Sequence, residues 1–167
     1  ALFTMVASVM IADTAKDDAA AINQAGSLRM QSYRILAMHQ TGADEPRLTE
    51  ARERFEQTMS GDAIRRSLPR APHSLVDHYL GLREHWREQM LPLLDVPATA
   101  SDQATLEAAV GTFVAELDAL VRGLQQEAET RIRMLRLIQG IAIVTAAAFV
   151  LINIVVDLVA TTIDPRL

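Results

Sequence analysis

Leu137 to Val156 is a run of twenty residues without a formal charge, rich in Ile, Val, Leu and Phe. As a helix it extends about 30 Å at about 1.5 Å per residue, the thickness of a bilayer's hydrocarbon core. Uncharged runs of that length rarely serve as core helices of soluble domains, so residues 137–157 read as a transmembrane helix. The other end is apolar as well. Ala1 to Ala12 reads ALFTMVASVMIA, which reaches only about 18 Å as a helix and is too short to span. It has no basic n-region, fits a signal peptide poorly, and reads as the C-terminal part of a first transmembrane helix. Between the two lies polar sequence. The expected layout is a domain over 13–136 looped out on one side of a membrane.

That domain reads as all-α. Aromatic residues make up 4% of the 167, with seven Gly and six Pro, too few turn formers for a β-sandwich. Four breaks divide the chain: Thr41 to Pro46, Leu68 to Pro72, Val96 to Ala100, and the membrane itself. Between them lie Asp13–Gln40, Arg47–Ser67, Ser74–Asp95 and Ser101–Arg136. Asp44 stands where it can cap the second stretch, with Pro46 in its first turn. Ser74 to Asp77 resembles a capping box, and Ser101-Asp102 can cap the fourth helix. Pro92 should kink or end the third. In the fourth, Leu106, Val110, Phe113, Leu117, Leu120, Val121 and Leu124 keep the spacing of one buried stripe. No breaker precedes Leu137, so this helix should run unbroken into the membrane. Short loops make an antiparallel up-down-up-down four-helix bundle, flanked by transmembrane helices, the expected fold.

Several chemistries are excluded. There is no cysteine and a single lysine, Lys16, so disulfides, thiolate sites and a P-loop lysine are ruled out. The formal charge is −5 without a basic run, which argues against a nucleic-acid partner. No GxGxxG, GxSxG, HExxH, EF-hand or Walker motif occurs, so no catalytic residue is assigned. His78 and His85 can share a helical face, but without a carboxylate on that face they make a weak metal site, and none is assigned. Glu50 with Arg54 and Arg52 with Glu56 sit at i,i+4 spacing and read as exposed pairs.

One stretch stands out. Ile22 to Leu36 lies inside a helix yet holds Asn23, Gly26, Ser27 and Ser32, which lower helix propensity. Helical stepping puts Ile22, Gly26, Arg29, Tyr33 and Leu36 along one stripe. An arginine on a mostly apolar stripe is costly unless it meets an anion. Gly26, one turn earlier, lets a helix or ligand approach the backbone. Arg34 lies about 140° around the helix and cannot share a small ligand with Arg29 of the same chain. Two readings are open. Arg29 and its mate converge on an anion across a two-fold axis, or Arg29 pairs with an acid from another helix or snorkels to water.

The segment AINQAGSLRMQSYRIL (Ala21–Leu36) resembles the P-box of the NarX/NarQ nitrate/nitrite sensor histidine kinases. The resemblance continues at Leu82–Pro92, Phe113–Val121 and Glu129–Ile132. It implies a periplasmic four-helix, PilJ-type sensor domain in a bacterial inner membrane and a homodimer through helix one. It also implies nitrate or nitrite held at that interface. Residue by residue, it implies that Arg29 and the backbone around Gly26 hold the ligand. Asn23, Ser27, Ser32, Tyr33 and Arg34 are then supporting P-box positions. Residues 158–167 match the start of a HAMP-type linker. Beyond it the family carries a kinase region that uses ATP and Mg and acts on a response regulator. The part in hand is then a receptor without cofactor and not itself an enzyme.

Other functions share this architecture. The same domain could feed a chemotaxis transducer or a cyclic-dinucleotide enzyme. A structural, membrane-anchored dimerisation bundle would satisfy Arg29 with a protein carboxylate such as Asp118 or Glu116. An organic-acid receptor would need a larger pocket than a two-fold axis offers.

Overall fold

A computed structural model describes residues 2–96 and 100–163, and Pro97–Thr99 of the third break and Asp164–Leu167 of the linker segment lie outside the described residues. The first helix, α1, spans Leu2–Gln40. It stops because Gly42 adopts φ +65, the left-handed conformation that costs glycine nothing. The N–H of Ala43 then donates to Met38 O at 2.9 Å, and that of Gly42 to His39 O at 3.2 Å. This is the Schellman closure of a helix end.

The second arm is two helices, α2 (Glu45–Met59) and α3 (Asp62–Ser67), where the sequence suggested one. Ser60-Gly61 makes the break, with Gly61 extended at φ −67, ψ 154. Asp44 is at the N-cap of α2, but its carboxylate meets Arg47 Nε at 3.3 Å and does not cap the backbone. A 3-10 turn, Leu68–Arg70, leads to the third arm.

That arm begins as α4 (His73–His85) with Pro72 at the N-cap, so Ser74 lies inside the first turn and builds no capping box. It widens into a π-turn over Trp86–Met90 and ends as α5 (Leu91–Leu94). Pro92 explains the widening. It supplies no N–H, and its ring would crowd the carbonyl one α-turn back. Leu91 N–H donates instead to Trp86 O, five residues back. The last helix, α6, spans Ala100–Ile163, so it runs through Arg136–Leu137 as the sequence suggested.

The described chain divides into two units. Asp13–Glu129 is a bundle of four antiparallel arms. Its register is visible in cross-arm bonds. Tyr79 donates to Met59 O at 2.7 Å near one end, and Arg52 to Leu94 O at 2.6 Å near the other. The α6 stripe Leu106, Val110, Phe113, Leu117, Leu120, Val121 and Leu124 is buried throughout. It meets Leu28 and Ile35 of α1, Phe55 of α2 and Trp86 of the third arm in one core. Phe55 and Trp86 stack at 4.0 Å between centroids, and Phe113 lies 5.9 and 5.8 Å from them. Such contacts add about 1 kcal/mol each beyond area burial.

The other unit comprises the N-terminal residues through Ala12 and the chain from Thr130 onward. Its α6 portion is long and apolar enough to cross a membrane. Ile141, Val144, Phe149, Leu151 and Ile154 are all more than half exposed, so no protein surface among the described residues covers them.

Candidate functional site: the P-box face of α1

Residues 21–36 sit within the bundle portion of α1. The buried face is Ala21, Ala25, Leu28, Ser32, Ile35 and Leu36. Of the stripe singled out from the sequence, only Leu36 is in the core; Gly26 is half-buried, and Arg29 and Tyr33 are exposed. The reason is size. Ala21 and Ala25 let neighbouring helices approach, and a reading weighted toward large apolar residues places the stripe too far round. Gly26, Arg29, Met30 and Tyr33 form an outward face with helical spacing, and Met30 and Tyr33 expose 78% and 53% of their surface.

Arg29 keeps 45% of its side chain accessible, so its charge stays hydrated. Nη1 donates to Asp118 Oδ1 of α6 at 2.7 Å, and Nε reaches Gly26 O at 3.5 Å. The acid is one of the two suggested by the structural-bundle reading. With the Asp118 side chain 34% accessible, the pair is of the solvent-screened kind that contributes at most about 1 kcal/mol. Arg29 Nη2 lies 3.9 Å from where a Cβ on Gly26 would stand. The guanidinium is therefore folded back along its own helix over Gly26, with donors left for a planar oxyanion.

The other P-box positions divide by role. Ser27 and Ser32 donate back to Gln24 O and Leu28 O at 2.8 and 2.9 Å, so their hydroxyls are spent within α1. Asn23 is exposed. Arg34 is exposed on a different face, in the groove against α2, and is not brought to Arg29.

Two glutamines were missed by sequence reasoning. Gln24 Oε1 accepts from Ile64 N–H at 3.2 Å and so satisfies one of the free donors that open α3. A side chain on Gly61 would collide with this amide, which is why glycine stands at the break. Gln31 Nε2 donates to Thr58 Oγ1 at 3.0 Å. The polar side of the P-box thus holds the junction of α2 and α3. Nothing in the local pattern signals this, because the partners are distant in sequence.

His78 and His85 do share a face, and α6 brings Glu116 against it. His85 Nδ1 lies 2.7 Å from Glu116 Oε2, and His78 Nε2 lies 2.9 Å from Glu116 O. Among the described residues no three acidic or histidine side chains are placed to hold a metal ion. Arg52 also departs from the i,i+4 expectation. It turns to Asp95 at 2.8 Å and to Leu94 O, while Glu56 accepts from Trp86 Nε1 at 3.3 Å. The Glu50–Arg54 pair forms at 3.0 Å.

Comparison with known proteins gives a consistent set. Residues 10–112 match the family described as type IV pili methyl-accepting chemotaxis transducer N-terminal, or PilJ. The chain is 34% identical over 152 residues to the nitrate/nitrite sensor protein NarX of Escherichia coli K12, covering 90% of this chain. It is 31% identical over 154 residues to the nitrate/nitrite sensor protein NarQ of the same organism. The chain spans 24% and 26% of the lengths of these relatives. The crystal structure of the E. coli NarX sensor domain in complex with nitrate matches at TM-score 0.60 and 36% identity, covering 70% of this chain and 96% of that one. The same domain without ligand matches at TM-score 0.54, again at 36% identity, covering 64% of this chain and 98% of that one.

Proposed function

We propose a function from one premise: this chain belongs to the NarX/NarQ family of nitrate/nitrite sensor proteins. It is the ligand-sensing and membrane-crossing part of a two-component sensor histidine kinase. It sits in a bacterial inner membrane with the 13–136 domain in the periplasm. Residues 137–157 cross the membrane, 1–12 belong to a first crossing helix, and 158–167 begin a HAMP-type linker. The kinase region, with ATP, Mg and a response regulator, lies beyond.

Two copies meet through α1 and hold nitrate or nitrite between their Arg29 side chains. The observation that carries this is the outward P-box face. There a half-exposed arginine with uncommitted donors stands beside a small glycine and two exposed apolar side chains, Met30 and Tyr33. Two guanidiniums about 7 Å apart repel by roughly 2 kcal/mol at an effective dielectric of 20. A planar oxyanion between them removes that repulsion and accepts paired hydrogen bonds from each. Asp118 already holds Arg29 Nη1 at 2.7 Å. Nitrate competes with Asp118 for Arg29, loosening α1 from α6, and α6 carries the change toward the membrane. Such a ligand switches the protein because its affinity differs between the two arrangements.

The test is a calorimetric nitrate titration of the chain in nanodiscs, with chloride and sulfate as controls, beside Arg29→Ala. Binding that disappears in a folded variant supports the site; retained affinity removes Arg29 from it. The Arg29–Asp118 pair also favours a second reading, a structural dimerisation bundle. That reading expects Arg29→Ala to lower stability and expects no nitrate response in either protein.

A further inference from the structure

We infer that the groove between α1 and α2 is a second ligand site, built for a small organic dicarboxylate. It is a cavity of about 210 Å³ inside one protomer. Its α1 side includes Arg34, one turn after Gln31, and its α2 side presents Arg47 and Arg54. Three guanidiniums line the groove with the Glu50 carboxylate, and Asp44, outside the lining, pairs with Arg47 at 3.3 Å. Once that exposed pair is exchanged, two positive charges face the groove, the charge a dicarboxylate neutralises. Guanidinium is the side chain best matched to carboxylate through paired hydrogen bonds.

The three arginines are available. Arg34 makes no hydrogen bond or ion pair among the described residues. Arg47 pairs with Asp44, with 76% and 59% of the two side chains accessible. Arg54 pairs with Glu50, with 58% and 69% accessible. Exposed pairs of this kind exchange partners at little cost.

The floor decides the class of anion. Ile35, Met38 and Ala51 line it, and Ile35 is 2% exposed. An apolar floor flanked by cations suits a carbon chain ending in carboxylates better than sulfate or phosphate, which have no apolar part to bury. Gln31, anchored by Thr58 at 3.0 Å, gives the end of the groove a fixed amide. The site is independent of the proposed nitrate site, since Arg34 points about 140° away from Arg29 around α1. It gives the second P-box arginine a ligand of its own.

Succinate is the probe, titrated calorimetrically into the chain in nanodiscs in nitrate-free buffer, with sulfate as an inorganic dianion of equal charge. The expected result is saturable succinate binding at one per chain, about tenfold or more tighter than sulfate. Arg34→Gln and, separately, Ala51→Leu should each weaken it about tenfold or more, the first by removing a charged donor and the second by filling the floor. Arg54→Gln should weaken succinate and leave the nitrate titration unchanged. Absence of saturable succinate binding, an equal response to sulfate, or undiminished succinate affinity in Arg34→Gln and Ala51→Leu would each overturn the assignment. The nitrate titration of Arg29→Ala decides the nitrate reading separately, so failure of one site is distinguishable from failure of the other.

Discussion

Arg29 Nη1 and Asp118 Oδ1 are 2.7 Å apart, a side-chain tie from the P-box of α1 to α6. The pair is exposed enough that its own contribution is at most about 1 kcal/mol. It is therefore poorly suited to holding the bundle and well suited to being exchanged. Asp118→Asn should leave the fold intact and tighten nitrate binding by up to about fivefold, the equivalent of about 1 kcal/mol. Nitrate affinity by calorimetry checks this. Weaker binding in Asp118→Asn would instead make the carboxylate an orienting group for Arg29.

Gly26 gives a prediction in which stability and function part. A Cβ there meets only Arg29 Nη2, at an ordinary 3.9 Å. Ala in a helix interior is favoured over Gly by roughly 0.5–1 kcal/mol. Gly26→Ala should raise denaturant stability by about that amount while weakening nitrate binding, because the added methyl occupies the face on which the proposed site sets ligand and partner. A variant more stable and equally good at binding would confine Gly26 to a neutral surface role.

The α2–α3 junction is a structural counterpart. Gly61→Ala must displace the Gln24 amide and free the Ile64 N–H. The cost should be about 1 kcal/mol, the worth of one such cap. Gln24→Ala should cost about the same, and the double variant little more than either, because both break one interaction. Full additivity in urea denaturation would show that the cap is not what Gly61 protects.

Tyr79 supplies the pH dependence. Burial raises its phenol above the ordinary value, with Arg83, Arg65 and Arg87 pulling the other way. A group whose folded-state value is raised contributes stability that is complete below about pH 10, its ordinary value, and lost as pH climbs through the folded one. Tyr79→Phe should lose about 1 kcal/mol at neutral pH, with the hydrogen bond to Met59 O, and should lose the tyrosine-linked part of the alkaline decline. An unchanged slope of stability above pH 10 would put that decline elsewhere.

The parts of this protein written in local pattern were legible. The α6 stripe from Leu106 to Leu124 follows helical spacing with large side chains and is buried residue for residue. The Gly42 stop is ordinary turn chemistry. Ser60-Gly61-Asp62 is an equally local turn signal, and reading Arg47–Ser67 as one helix passed over it. Other features depended on partners far along the chain. Gln24 with Ile64, Glu116 with His85 and Arg52 with Leu94 O are long-range pairs that no spacing announces. At the candidate site, Arg29 stood out as a charge on a mostly apolar stripe, and Gly26 as a helix-weakening residue one turn before it. The face they occupy was misplaced by one strip because alanines carry core packing at Ala21 and Ala25.

The central claim is that one oxyanion is shared by two Arg29 side chains. Its most direct measurement is the stoichiometry of nitrate binding to the chain in nanodiscs, with protomer concentration fixed by amino-acid analysis. The account predicts saturation at one nitrate per two chains. Saturation at one nitrate per chain, or none in a verified dimer, would contradict it.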